Sequence, residues 1–124
     1  MTVFNRIADI LSDILDIPAS DISADSYLVR DLNAESIDLL EIAVTLATEF
    51  KTDIDDDAIF LKNLRIVLDD AGKTEECRIE SLACRYPFLD RSRITDIVKD
   101  LDGGPVLKVR DLTAYVLHKT GQVQ

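Results

Sequence analysis

Apolar residues recur along this chain at intervals of three and four, and no stretch shows the two-residue alternation of a half-buried strand. Val3, Ile7, Ile10, Leu11 and Ile14 form one stripe and predict a helix over residues 2–16, which Pro18 ends. Residues 18–35 are rich in turn and cap residues and read as a long loop, with Tyr27 and Leu28 as its apolar anchors. A second helix is predicted from Ser36 to Phe50. It buries Leu39, Ile42 or Ala43, Leu46 and Phe50 and leaves Asp38, Glu41, Thr45 and Thr48 on the solvent side. Asp55, Asp56 and Asp57 load the first turn of a third helix, as the positive end of a helix dipole favours. Its stripe runs through Phe60, Leu64, Val67 and Leu68 to a stop at Gly72.

Three further helices follow. Ile79, Leu82, Ala83 and Tyr86 define one that Pro87 stops. Ile94, Ile97, Val98 and Leu101 define the next, with Asp90 as its cap and Gly103-Gly104-Pro105 as its break. The last covers residues 110–119 and buries Leu112, Tyr115 and Val116. The predicted fold is all-α, a small helical bundle with one long early loop.

Composition narrows what such a bundle does. At 124 residues and 47% hydrophobic content the chain is a single folding domain rather than a disordered one. No apolar run reaches the ~18 residues of a membrane span, and no signal peptide is visible, so a cytoplasmic, monomeric protein is expected. The net charge of −10 would repel nucleic acid and anionic membrane. That charge is lopsided: residues 1–60 carry 14 acidic against 3 basic side chains, whereas residues 61–124 carry 10 against 11. An acidic first half suits docking to basic protein patches. Cys77 and Cys84 stand seven positions apart, about 10 Å along a helix, too far for a disulfide. With His118 the lone histidine, no metal-ligand set exists, and both cysteines are read as small hydrophobes of a reducing compartment.

The candidate chemistry sits in Asp31-Leu32-Asn33-Ala34-Glu35-Ser36-Ile37-Asp38-Leu39-Leu40-Glu41, where loop turns into helix. A hydroxyl there lies beside free backbone N–H groups and a positive dipole end, a setting that suits a phosphate ester. Ser36 as an ordinary helix cap would call for Glu or Gln at position 39 to complete a capping box, and Leu39 stands there. Catalysis finds no support. The serine-hydrolase elbow needs glycines where Ala34 and Asp38 stand. An EF-hand starting at Asp53 fails at Ala58 and Leu64.

The segment Asp31–Asp38, the acidic-apolar helix after it and Thr52-Asp53-Ile54 resemble the acyl carrier protein family, whose typical motif is Asp-Leu-Gly-Ala-Asp-Ser-Leu-Asp. Val109-Arg110-Asp111-Leu112-Thr113-Ala114-Tyr115-Val116 is similar to that family's closing helix. The resemblance implies a non-enzymatic carrier in which Ser36 bears a 4′-phosphopantetheine arm, added from coenzyme A by a phosphopantetheinyl transferase. The arm's thiol would hold acyl groups as thioesters for ketosynthases, acyltransferases or ligases with basic docking patches. Glu35, Ile37, Asp38 and Glu41 would form the docking face, and Leu46, Phe50, Ile54 and Ile59 the acyl pocket. The chain departs from the motif at Asn33, Glu35 and Ile37. Asparagine tolerates a left-handed backbone better than most residues. Glu-Ser-Ile-Asp resembles the motif of specialised carriers for unusual or very long acyl chains. Aminoacyl or polyketide cargo, and an unmodified acidic interaction module, stay open beside this reading.

The largest departure is an insertion of about forty residues. It divides the domain into a carrier-like core, residues 1–61 and 106–120, and an insertion over about 62–105 that should add about two helices. Three roles are open to it: decoration, an enlarged acyl pocket built from Ile79, Leu82, Tyr86, Phe88, Ile94 and Ile97, or a private docking site.

Overall fold

The structure, a computed structural model, describes residues 2–72 and 74–121. It is all-α: α1 (Val3–Leu15), α2 (Ser36–Phe50), α3 (Asp56–Ile59), α4 (Leu64–Asp70), α5 (Glu75–Arg85), α6 (Arg91–Lys99) and α7 (Val109–Thr120). Short 3₁₀ turns cover Ala19–Asp21 and Leu101–Gly103. Among the described residues there is no strand, only a bridge between Tyr27 and Lys108, and no helix is long and apolar enough to cross a membrane.

α1 packs against both α2 and α7, with Ile7, Leu11, Ile42, Leu46, Leu112 and Val116 fully buried in the core. α3 leans on α7, and the Tyr115 hydroxyl accepts a hydrogen bond from the Asp55 N–H at 2.9 Å. α4, α5 and α6 pack in series, α5 against each neighbour. One apolar core runs through all of them, from Ile7 to Leu82 and Ile97. The long loop of residues 18–35 is held by backbone bonds: the Leu28 N–H donates to the Leu107 carbonyl at 3.0 Å, and the Val109 N–H to that of Ser26 at 3.0 Å.

Three sequence expectations are corrected here. The third helix does not continue to Gly72; it ends at Ile59, and α4 starts afresh at Leu64. Leu61 takes a left-handed φ of 55°. Its N–H donates to the Ala58 carbonyl, and the Lys62 N–H donates back to that of Asp57 at 3.0 Å, the paired closure of a Schellman turn. A leucine in that conformation costs about 1–2 kcal/mol. Burial of its side chain, worth roughly 2 kcal/mol, offsets the cost. Among the described residues, the segment between α3 and α7 therefore holds three helices rather than about two. Third, Cys77 and Cys84 are both free and exposed on α5, not packed as small hydrophobes.

Candidate functional site

Ser36 is the first residue of α2 and is exposed. The cap is Glu35, one residue earlier, in an extended conformation with φ −104° and ψ 170°. Asp38 closes the cap: its carboxylate accepts the Glu35 N–H at 2.9 Å. The box-forming acid thus lies at position 38, three after the true cap, and Leu39 at that place counts for nothing. The first hydrogen bond inside the helix runs from the Leu39 N–H to the Glu35 carbonyl, so the N–H groups of Ser36 and Ile37 precede the helical ladder. A phosphodiester on the Ser36 oxygen would face these donors and the positive dipole end, and the residues present fit such a group. The turn that delivers the serine is left-handed at Asn33, φ 58°, where an asparagine carries little strain.

Around the serine, Glu35 and Glu41 are exposed, Asp38 is half-buried at its cap, and Ile37 is 71% exposed. Two further residues share this stripe of α2 and went unremarked in the sequence: Leu40, 56% exposed, and Val44, 67% exposed. Their signal was present as apolar residues at i+3 and i+7 from Ile37, off the buried face. The structure thus brings the four predicted docking residues onto one surface around Ser36, with a larger apolar component than their charges suggest.

Of the other four predicted residues, Leu46 and Phe50 on α2 and Ile59 on α3 are buried, while Ile54 is half-buried against the same core. None of them lines the half-open cavity of about 430 Å³ that lies beside the first turns of α2. Val29, Leu39, Phe60, Leu64, Leu101 and Val106 line that cavity, with the exposed side chains of Lys62 and Arg65 also at its wall. The Lys62 ammonium sits 5.8 Å from the centre of the Phe60 ring.

Two polar clusters that the sequence did not announce tie the later helices to this region. Arg93 on α6 is 5% exposed and Asp111 on α7 is 1% exposed, and they form a bidentate pair with both bonds at 2.8 Å. The Arg93 guanidinium also donates to the Val106 carbonyl at 2.6 Å, and Asp111 accepts the Lys108 N–H at 2.9 Å. In the second cluster, Arg30 donates to the Asp100 carboxylate at 3.0 Å and to the Gly104 carbonyl at 2.8 Å. The Tyr27 hydroxyl donates to the same carboxylate at 2.6 Å. This bond, with Arg30 beside it, holds the Asp100 carboxyl below its ordinary range. It also raises the Tyr27 phenol. Gly103 permits the approach, because a Cβ there would meet Asp100 and the Arg30 guanidinium at 2.9–3.0 Å.

A family model described as the phosphopantetheine attachment site matches residues 5–65, from α1 into α4. Among curated proteins, the acyl carrier protein of Picosynechococcus sp. is 38% identical over 55 residues, 44% of this chain and 68% of that protein. That of Clostridium acetobutylicum is 36% identical over 55 residues, 44% of this chain and 71% of its own length. The acyl carrier protein of Thermobifida fusca is 33% identical over 67 residues, 54% of this chain and 82% of its own. No solved structure matches. With a serine exposed at a helix start inside the matched residues 5–65, and relatives of this identity and coverage, the chain belongs to the acyl carrier protein family, whose prosthetic group is a covalently attached 4′-phosphopantetheine.

Proposed function

We propose that Ser36 is the attachment site and that the loaded protein carries acyl intermediates of fatty-acid or lipid assembly as thioesters, with unusual or very long chains as its cargo. The observation that carries the assignment is the exposed Ser36 hydroxyl at the first position of α2, ahead of the helical ladder and within the family match. A phosphopantetheinyl transferase moves the arm from coenzyme A, with Mg²⁺, onto that hydroxyl. The chain itself then does no bond chemistry. It presents the tethered thioester at high effective concentration to ketosynthases, acyltransferases or ligases.

Glu35, Asp38 and Glu41 supply the negative face that basic patches on those enzymes recognise, and Ile37 supplies an apolar contact at its centre. Charge complementarity of this exposed kind speeds encounter and leaves release easy, as a shuttling carrier needs. The acidic surplus of the first sixty residues extends the same field. Residues 62–105 form the insertion on the carrier core, and the working compartment is the cytoplasm.

Mass spectrometry of the apo protein, incubated with a broad-specificity transferase, coenzyme A and Mg²⁺, tests the reading. One phosphopantetheine on the Ser36 peptide, absent from Ser36→Ala, is the expected result. A folded protein that several transferases leave unmodified would make it an acidic interaction module instead.

A further inference from the structure

We propose that Asp100, which lies outside the family match, is a positioning residue for the loading of Ser36: through Tyr27 and Arg30 it holds the turn that delivers the serine. The role rests on the carrier reading above and adds to it the residue that sets the serine's approach. The turn runs from Tyr27 to Ala34 and ends two residues before Ser36. Its own backbone closes it. The Asp31 and Leu32 N–H groups donate to the Tyr27 carbonyl at 3.0 and 3.1 Å, the Asn33 N–H to that of Val29 at 3.1 Å and the Ala34 N–H to that of Leu28 at 2.9 Å. The Asp31 carboxylate also accepts the Tyr27 N–H at 2.9 Å. These local bonds fix the shape of the turn and leave its place on the molecule to other contacts.

Those contacts come from the chain after α6. The Leu28 N–H reaches the Leu107 carbonyl at 3.0 Å and pins one side of the turn. Arg30, in the middle of it, donates to the two Asp100 carboxylate oxygens at 3.2 and 3.0 Å, to the Asp100 carbonyl at 3.2 Å and to the Gly104 carbonyl at 2.8 Å. The Tyr27 hydroxyl donates to the same carboxylate at 2.6 Å, and the guanidinium carbon lies 4.2 Å from the centre of the Tyr27 ring. One carboxylate thus gathers two side chains of the turn through charge-assisted bonds, and the two brace each other. Among the described residues no other ion pair reaches residues 27–34. Gly103 leaves the room for this grip, since a Cβ there would stand 2.9 Å from an Asp100 carboxylate oxygen and 3.0 Å from the Arg30 guanidinium.

The serine depends on such a grip because it precedes the helical ladder: the first bond inside α2 starts from the Leu39 N–H. The chain on the N-terminal side of Ser36, and not α2 alone, sets where its hydroxyl points. In loading, that oxygen bonds to the phosphorus of coenzyme A that bears the pantetheine, as the bond from this phosphorus to adenosine 3′,5′-bisphosphate breaks. The hydroxyl proton passes to a base on the transferase. Attacking and leaving oxygens must stand roughly in line, and a misplacement of about 1 Å costs up to about a hundredfold. The acidic face of α2 governs binding, so a slackened turn lowers kcat. Loss of folded protein acts differently: it thins the supply of carrier, which raises the apparent KM and leaves kcat unchanged.

The test loads the full chain with coenzyme A, Mg²⁺ and a broad-specificity transferase, and follows phosphopantetheine on Ser36 by mass spectrometry over a range of carrier concentrations. Asp100→Ala should lower kcat about tenfold with KM within about twofold of the parent. Gly103→Ala, which pushes the Asp100 and Arg30 side chains apart from an exposed position, should lower kcat in the same way by about threefold or more. Asp100→Asn keeps an acceptor for the Tyr27 hydroxyl and should restore kcat to within about threefold of the parent. Amide hydrogen exchange at Ala34 should be about tenfold faster in Asp100→Ala, with Leu11 and Leu46 in the core unchanged. A parent that no transferase loads overturns the carrier reading and this role with it. A parent that loads, beside Asp100→Ala and Gly103→Ala variants whose kcat stays within about twofold of it, overturns the role alone. A lowered kcat with Ala34 exchange as in the parent also overturns it, because the turn has then not moved. If Asp100→Ala does not fold, Gly103→Ala decides on the same criteria.

Discussion

Arg93 and Asp111 face each other across the junction of α6 and α7, almost wholly out of water, joined by two parallel bonds of 2.8 Å. One stands on α6 and the other on α7. Between them they also satisfy the Val106 carbonyl and the Lys108 N–H, so the pair organises the chain that runs from one helix to the other. Burying two charges costs several kcal/mol per ion, recovered only when geometry is good and remaining donors and acceptors find partners, as the Val106 carbonyl and the Lys108 N–H provide here.

Removing one partner should therefore be far worse than removing both. Asp111→Asn leaves the Arg93 charge buried without compensation and is expected to lose about 3–5 kcal/mol in urea unfolding. Arg93→Met with Asp111→Leu should recover most of that, short of about 1 kcal/mol for the lost bond to the Lys108 N–H. A double variant as unstable as Asp111→Asn would mean that the pair contributes by more than mutual compensation.

How this pair escaped the sequence is instructive. Arg93 lies at i−4 from Ile97 and i−8 from Leu101, on the apolar stripe of α6, yet a charged residue on a stripe is ordinarily read as its edge. Asp111 stands at the third position of α7, where an acid is expected as a surface cap. Each has a local explanation, and only their juxtaposition in three dimensions makes them a pair. The periodicity of α1, α2, α5, α6 and α7 was legible because each has a complete apolar stripe and a recognisable cap or stop. The break between α3 and α4 was not, because Leu61 adopts a glycine-like conformation with a side chain that continues the helical pattern. At the site, Ser36 and its acidic neighbours were legible as a motif. The cavity was not, since its walls come from four separate stretches of chain.

Asn33 gives a second prediction. Its φ of 58° is where glycine is free and a β-branched residue is strained. Asn33→Gly should change stability by no more than about 0.5 kcal/mol, whereas Asn33→Val should lose about 1–2 kcal/mol. Thermal unfolding of the two variants checks this, and equal midpoints would show that the turn relaxes to accept valine.

The Tyr27–Asp100 bond should be visible in the pH dependence of stability. Asp100 has a carboxyl held down in the folded state, by the Tyr27 hydrogen bond first. Its contribution is complete above the ordinary carboxylate range, near 3.9, and is lost as pH falls below that toward the lower folded value. Tyr27 has the opposite sign: a raised phenol contributes fully below its ordinary value near 10 and loses that contribution as pH climbs through the folded one. Tyr27→Phe removes the phenol's share and the largest cause of the carboxyl's, leaving the part that Arg30 supplies. Its loss of stability relative to the parent should be greatest between about pH 5 and 9 and should shrink at either extreme. A difference that is flat from acid to alkali would assign the tyrosine's contribution to ring packing against the Arg30 guanidinium, 4.2 Å from its centroid.

Asp38 and Glu41 lie on the same face of α2 but differ in what they hold. Asp38 accepts the Glu35 N–H at 2.9 Å and so closes the helix start, whereas Glu41 is exposed and forms no ion pair among the described residues. Asp38→Ala should therefore lose about 1 kcal/mol of stability, the usual value of a cap contact, and Glu41→Ala less than about 0.5 kcal/mol. Against a transferase with a basic docking patch, the two separate differently. Removing either charge slows encounter and raises KM, with an effect that fades as salt rises. Asp38→Ala should in addition disturb the turn that presents Ser36, lowering kcat at saturating carrier, and Asp38→Asn should restore kcat without restoring the salt dependence. Stopped-flow loading at low and high salt reads both quantities. If Asp38→Asn and Glu41→Ala match the parent in KM at low salt, this face of α2 is not where the transferase docks, and the charge of the first sixty residues acts as a diffuse field instead.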